Sequence, residues 1–91
     1  MKEKDFKEYV KKWATVIGVS DKVKQIQLRK MTRKLASCSS KGRLTFNIEV
    51  LKLPEEEIKK IVVHELLHLR YPNHGKLFKA MYSYYLKHRV L

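Results

Sequence analysis

Two histidines and a glutamate in one short segment have the types and the spacing of a metal-dependent catalytic site. The segment is His64-Glu65-Leu66-Leu67-His68, the HExxH pattern. In an α-helix, residues four positions apart lie on the same face, so both imidazoles can point at one cation. Glu65 would then lie beside the open coordination position of that cation. The pattern predicts Zn²⁺ as the cofactor and Glu65 as the acid–base residue of a metal-assisted hydrolysis.

A catalytic zinc site needs a third protein ligand. The chain has no Asp or Glu after Glu65, which excludes a carboxylate ligand from the last helix. The remaining candidates are His74, six residues beyond His68, and His88 near the C-terminus. We favour His74, because Pro72 breaks the helix just before it and a reversing chain can return its imidazole to the first two.

Three helices are predicted around this motif. The segment from Lys4 to Ile17 has apolar residues at intervals of three and four and stops at Gly18. A second helix begins at Pro54, whose ring suits the first helical position, and runs to about Arg70. The apolar side of a third helix consists of Leu77, Phe78, Met81, Tyr82 and Tyr85.

Three short strands are predicted between the first two helices. Val23 to Lys30 and Leu44 to Ile48 alternate apolar and polar residues, and a short extended piece lies near Leu35 to Cys38. The turn residues from Ser39 to Gly42 predict a hairpin between the last two strands. The expected fold class is α+β: an N-terminal helix, a small three-stranded, mainly antiparallel sheet, the HExxH helix and a C-terminal helix, in one domain covering residues 1–91.

The third strand is a candidate for substrate binding. It precedes the HExxH helix, and we expect the strand from Arg43 to Glu49 to lie at a sheet edge, where an extended peptide can pair as an added strand. Asn47 and Phe46 are the predicted contact residues.

Composition supplies an alternative function. The chain of 91 residues has 21 Lys and Arg against nine acids, a net charge of +12, and its densest basic segment runs from Lys22 to Lys34. Such a charge is typical of nucleic-acid-binding proteins, although it also suits a solvated surface. The alternative is a basic nucleic-acid-binding module in which the metal site is structural.

The expected location is the cytoplasm, with no membrane partner. No apolar stretch approaches the length of a membrane span, and the N-terminus lacks a signal peptide. The lone Cys38 cannot form an internal disulfide, which fits a reducing compartment. We expect Cys38 to be a small buried residue, with metal binding by its thiolate left open.

The stretch from Met31 to Tyr85 resembles the minigluzincins, a family of small archaeal metallopeptidases, and their YgjP-like relatives. The resemblance is carried by Ser37-Cys38-Ser39, Leu44-Thr45-Phe46-Asn47, the HExxH segment with Leu69, Asn73-His74-Gly75 and Phe78. SprT-type and WLM-type proteases, some of which act on DNA-bound proteins, share the spacing of the histidines. The chain departs from the pattern at Leu35-Ala36, where relatives often carry Trp-Gly.

The resemblance implies a catalytic zinc on His64, His68 and His74, with Glu65 as general base and a peptide or protein as substrate. A protease that acts on DNA-bound proteins is a further alternative. The resemblance also implies a latent, zymogen-like state. For such a state we expect the segment from Tyr84 to Leu91, with the terminal carboxylate of Leu91, to occupy the open zinc position in the same molecule or in a dimer partner.

Overall fold

The computed structural model describes residues 1–87 and has the predicted α+β fold. The elements are α1 (Glu3–Ile17), β1 (Gln25–Arg29), β2 (Ala36–Cys38), β3 (Arg43–Asn47), α2 (Glu55–Leu67) and α3 (Lys76–Leu86), with 3-10 turns at Ser20–Lys22 and Ile48–Lys52. Within these residues no helix has the length and apolar character that crossing a membrane requires. The predictions for His88 and Leu91 lie outside the described residues.

The three strands form a mixed sheet in the order β1-β3-β2. β2 and β3 are antiparallel and form the predicted hairpin, whereas β1 and β3 are parallel along the whole of β1. The expectation of a mainly antiparallel sheet is therefore wrong, because β3 inserts between the two strands that precede it. β3 is the central strand, so the expectation that it lies at a sheet edge is wrong as well. Among the described residues, β2 has one open edge.

The hairpin turn fixes this strand order through Gly42. Its φ of 91° is one that L side chains rarely adopt, and a Cβ there would collide with the carbonyl oxygen of Lys22. The Gly42 carbonyl accepts hydrogen bonds from the backbone N–H groups of Lys24 (2.9 Å) and Gln25 (3.2 Å). The turn is thereby joined to the start of β1, which sets β1 alongside β3.

One hydrophobic core lies between the helices and the sheet. α1 has the predicted buried stripe and ends at Gly18, whose φ of 85° closes the helix. Phe6 of α1 meets Phe46 of β3 edge to face, with ring centroids 4.9 Å apart. Three residues of the predicted apolar patterns are exposed, Val16 at 42%, Ile48 at 41% and Leu77 at 65%. Ile48 is exposed because β3 ends at Asn47 and the chain enters a 3-10 turn.

Candidate metal centre

Helix α2 brings His64 and His68 onto one face. It begins after Pro54, which is the N-cap, and it ends at Leu67 instead of the expected Arg70. His68 caps the helix with right-handed dihedral angles (φ −63°, ψ −19°), so its side chain still lies one turn beyond His64. The two ring centroids are 4.8 Å apart.

The loop after α2 returns His74 to the two helical imidazoles. Its Nε2 lies 3.2 Å from His64 Nε2 and 3.1 Å from His68 Nε2. Nitrogen ligands at about 2.0–2.1 Å from a tetrahedral zinc are about 3.3 Å from one another. The two separations from His74 are close to that value, and all three ligand atoms lie within 4.8 Å of one another. These three histidines are the group within residues 1–87 that could hold a metal ion.

The chemistry of the three imidazoles also fits a cation. The Nδ1 of His64 lies 3.0 Å from Glu65 Oε2, and a carboxylate acceptor there requires the proton on Nδ1. His64 Nε2 therefore presents a lone pair towards the other two rings. His74 Nε2 can donate to at most one of its two neighbours, which leaves a lone pair facing nitrogen. A divalent cation between the three atoms removes this conflict.

Glu65 is a buried carboxylate, with 9% of its surface exposed, next to the three imidazoles. Through its hydrogen bond, the carboxylate orients the ring of His64 in the way that outer-shell carboxylates orient metal-binding histidines. The ring of His68 is held by a different group. The ring of His68 forms a hydrogen bond with the backbone of Pro72, in the loop that carries His74.

Phe78 of α3 forms a floor beneath the three imidazoles. It is 3% exposed, and its ring centroid lies 5.3, 4.9 and 4.7 Å from those of His64, His68 and His74. Phe78 was predicted only as part of the apolar side of the last helix. His74 lies in the loop before α3, so helical spacing does not connect it to Phe78. The signal that could have found the contact is the place of Phe78 among the residues that carry the family resemblance.

The loop is anchored at the end of α1. The Nη1 of Arg70 donates to the carbonyl oxygen of Ile17 at 3.1 Å, and the guanidinium lies 5.7 Å from the centroid of the Tyr71 ring. Lys22 Nζ donates to the carbonyl oxygen of Leu69 at 3.4 Å. The N-terminal helix thus fixes where the chain leaves α2, and with it the path to His74.

Burial lowers the pKa of His68 below its usual 6.5, and the nearby His64 and His74 lower it further, against the opposite influence of Glu65. A lowered pKa favours the neutral imidazole, which is the metal-binding form. Burial, followed by the charge of Glu65, raises the pKa of Cys38 to about 11. Cys38 does not belong to the group of residues within 1–87 whose ligand atoms lie close enough together to share a metal ion.

Phe46 and Asn47 are not placed for substrate contact. Phe46 is fully buried in the core, and Asn47 is 7% exposed. Asn47 Nδ2 donates to the carbonyl oxygens of Met31 (2.9 Å) and Lys34 (3.0 Å), and its Oδ1 accepts from the N–H of Glu49 (3.1 Å). The prediction that these two side chains bind substrate is wrong, because β3 is central and the Asn47 amide is used to hold the segment between β1 and β2.

Two hollows meet at Glu65 beside β2. One, of about 460 Å³, includes Arg33 and Lys60 together with His64 and Glu65. The other, of about 420 Å³, includes Ser40 and Glu65 at the far end of the strand. Together they form a cleft that passes the candidate metal ligands, with the strand β2 as one wall.

Comparison with known proteins agrees with this geometry. The chain matches the family described as YgjP-like, metallopeptidase domain, over residues 2–88. It is similar to the metallopeptidase zymogen of Pyrococcus abyssi abylysin, a crystal structure, with 30% sequence identity and a TM-score of 0.70. This match covers 88% of this chain and 75% of that chain. A comparison with curated proteins gave no match.

The chain therefore belongs to the YgjP-like metallopeptidases. It is a peptidase, and its substrates are peptides or proteins. The predicted family and the predicted class of enzyme are confirmed. The alternative of a non-enzymatic nucleic-acid-binding module is not favoured.

The lowered pKa of His68 predicts how the metal-free protein responds to acid. The unfolded chain binds a proton at this residue more readily than the folded chain, so the contribution to stability is present above about pH 6.5 and is lost as the pH falls through the folded value. We expect the urea midpoint of the chelated protein to fall between pH 7.5 and pH 5.5. The variant His68→Gln should show a smaller fall, and an identical fall in both proteins would contradict the assignment.

Proposed function

We propose that the protein is a zinc peptidase in which His64, His68 and His74 bind one Zn²⁺ and Glu65 is the general base. The observation that supports this most directly is the convergence of the three Nε2 atoms, with His74 at 3.1 and 3.2 Å from the other two. Three protein ligands leave one position of a tetrahedral ion open for water or substrate, as in other catalytic zinc sites.

The proposed chemistry is hydrolysis without a covalent intermediate. Zinc at this site would lower the pKa of a water ligand to about 7 and polarise the peptide carbonyl. One carboxylate oxygen of Glu65 accepts a hydrogen bond from the Nδ1–H group of His64. The other oxygen remains free to take a proton from the attacking water. Glu65 then passes that proton to the nitrogen of the departing amine.

We propose that the peptide lies along the open edge of β2, in place of the edge that was expected at β3. On either side of β2, the carbonyl oxygen of Leu35 accepts from the N–H of Asn47 (2.8 Å) and the N–H of Ser39 donates to the carbonyl oxygen of Arg43 (2.9 Å). The backbone groups of the odd-numbered residues in this segment therefore point towards β3. Backbone groups of alternate residues point to opposite sides of a strand. The N–H and C=O groups of Ala36 and Cys38 therefore point to the open edge, where an extended peptide can pair with them.

The ligand assignment predicts a loss of metal in one variant. The wild type should bind one zinc ion per chain, and His74→Ala should bind zinc at least tenfold more weakly, because only two ligands remain. Bound zinc is measured by elemental analysis after dialysis, and chelator should lower the melting temperature of the wild type but not of the variant. Asn73→Ala, in the same exposed loop, is the matched control and should keep its zinc. Full zinc in His74→Ala would contradict the assignment.

The role of Glu65 predicts a separation of metal binding from turnover. Glu65→Gln should retain zinc and lose peptide hydrolysis by about a hundredfold or more, the typical contribution of a general base. Glu56→Gln, which changes an exposed carboxylate on the first turn of the same helix, should leave turnover unchanged. Hydrolysis at the wild-type rate by zinc-loaded Glu65→Gln would exclude Glu65 as the base.

The similar abylysin structure is that of a zymogen, which supports latency as a further part of the proposal. If the C-terminal segment holds the enzyme latent, removal of residues 88–91 should increase peptide hydrolysis by the zinc-loaded chain. Both forms must contain equal zinc for the comparison to be valid. Equal rates for the full and the shortened chain would contradict autoinhibition through Leu91. A nucleic-acid partner and a dimer stay predictions from the sequence.

A further inference from the structure

The wall of the cleft is cationic at one end. Arg33, Lys34 and Lys60 line the 460 Å³ hollow that contains His64 and Glu65. The backbone carbonyl of Lys34 is held by buried Asn47, which fixes the segment between β1 and β2 beside the cleft. The backbone that carries Arg33 and Lys34 is therefore held in a fixed position beside the cleft.

Two of these three charges have no carboxylate close by. Lys60 Nζ lies 3.3 Å from Glu57 Oε2, so its charge is partly offset. Within residues 1–87, the ion pairs join Lys52 to Glu49, Lys60 to Glu57 and His64 to Glu65, and none includes Arg33 or Lys34. Among residues 1–87, Glu65 is the one acid that lines the cleft, and it already accepts a hydrogen bond from His64. A ligand in the cleft would meet uncompensated positive charge.

The positive charge is also uneven along the cleft. At the far end of β2, the 420 Å³ hollow is lined by Ser39, Ser40 and Pro72, and Lys34 is the one lysine or arginine that the described part of the chain contributes to it. Arg33 and Lys60 lie at the end where β2 begins. A peptide paired antiparallel to β2, the slightly more stable arrangement, would place its C-terminal half at that cationic end.

We propose that the cleft selects peptides with Asp or Glu on the C-terminal side of the cleaved bond, and that Arg33 and Lys34 are the residues that set this specificity. The inference rests on the proposed function, since it assigns the substrate class of the same site. The expected size is modest, because an ion pair with partly exposed partners changes affinity by up to about fivefold. Two such cations should together give a preference of roughly three- to tenfold.

The test compares peptides that differ only by an exchange of Asp for Asn. In one set of pairs the exchange is at one of the two positions after the cleaved bond. In a control pair the same exchange is before the bond. We expect the zinc-loaded wild type to show a kcat/KM roughly three- to tenfold higher for Asp after the bond. The preference should shrink at 0.5 M salt, because the Debye length there is well below the roughly 10 Å at 0.1 M.

Variants then separate the local charge from the net charge of the protein. Arg33→Glu with Lys34→Glu should abolish or reverse the ratio of kcat/KM between the Asp and Asn peptides. Lys7→Glu with Lys11→Glu makes the same change in net charge at a separate hollow between α1 and β1, and it should keep the preference. These four side chains belong to neither the metal site nor the core.

Several results would overturn the inference. Equal rates for Asp and Asn peptides, or a preference for Asp before the bond, would exclude it. So would a preference that survives in Arg33→Glu/Lys34→Glu or disappears equally in Lys7→Glu/Lys11→Glu. If zinc-loaded wild type cleaves neither peptide, the peptidase proposal fails on its own. The inference is then tested by the affinity of zinc-loaded Glu65→Gln for each peptide, and equal dissociation constants would exclude it.

Discussion

The convergence of three imidazole nitrogens, all within 4.8 Å of one another, is the constraint on which much of this small structure depends. His74 Nε2 lies 3.1 and 3.2 Å from the other two nitrogens. Lone pairs that face each other repel, and neutral imidazoles can satisfy at most part of the set by hydrogen bonds. A cation between the three nitrogens would remove this repulsion, and zinc binds nitrogen ligands at about the spacing seen around His74.

The neighbouring contacts hold the three imidazoles in this arrangement. α2 supplies two ligands at helical spacing, and Glu65 and the Pro72 backbone orient their rings. The apolar ring of Phe78 packs against all three imidazoles, and an apolar shell around a site limits solvent access. Arg70, bound to the end of α1, determines where the chain turns back towards α2. Each of these contacts fixes the orientation of one imidazole or the path of the chain that carries it.

The site could be predicted from the sequence because it depends on local geometry. The spacing of His64 and His68 determines their common face in any α-helix, and Pro72 predicts the reversal that returns His74. The sheet was less predictable. Alternation of apolar and polar residues shows that a segment is a strand, but it does not show which strand lies beside it. The pairing of β1 with β3 depends on the Gly42 carbonyl and the start of β1, which are distant in sequence.

Asn47 shows the same limit at a single residue. Its position in a strand expected at a sheet edge led to the prediction that it contacts the substrate. The structure instead places it at the end of β3, where the segment between β1 and β2 covers it and its amide supplies two hydrogen bonds to that segment. A side chain's neighbours at a strand end are set by the path of the next loop, and the period of two carries no information about that path.

The proposed ligands come from residues 64–74, one continuous piece of chain, whereas the wall of the cleft is assembled from the distant segment around β2. Loss of the small sheet by partial unfolding would therefore leave the helix and its loop able to retain metal while the groove for the peptide disappears. Metal content alone would then overstate how much of a preparation is native, and a signal from the β2 hairpin, such as the amide exchange of its residues, would report the competent fraction.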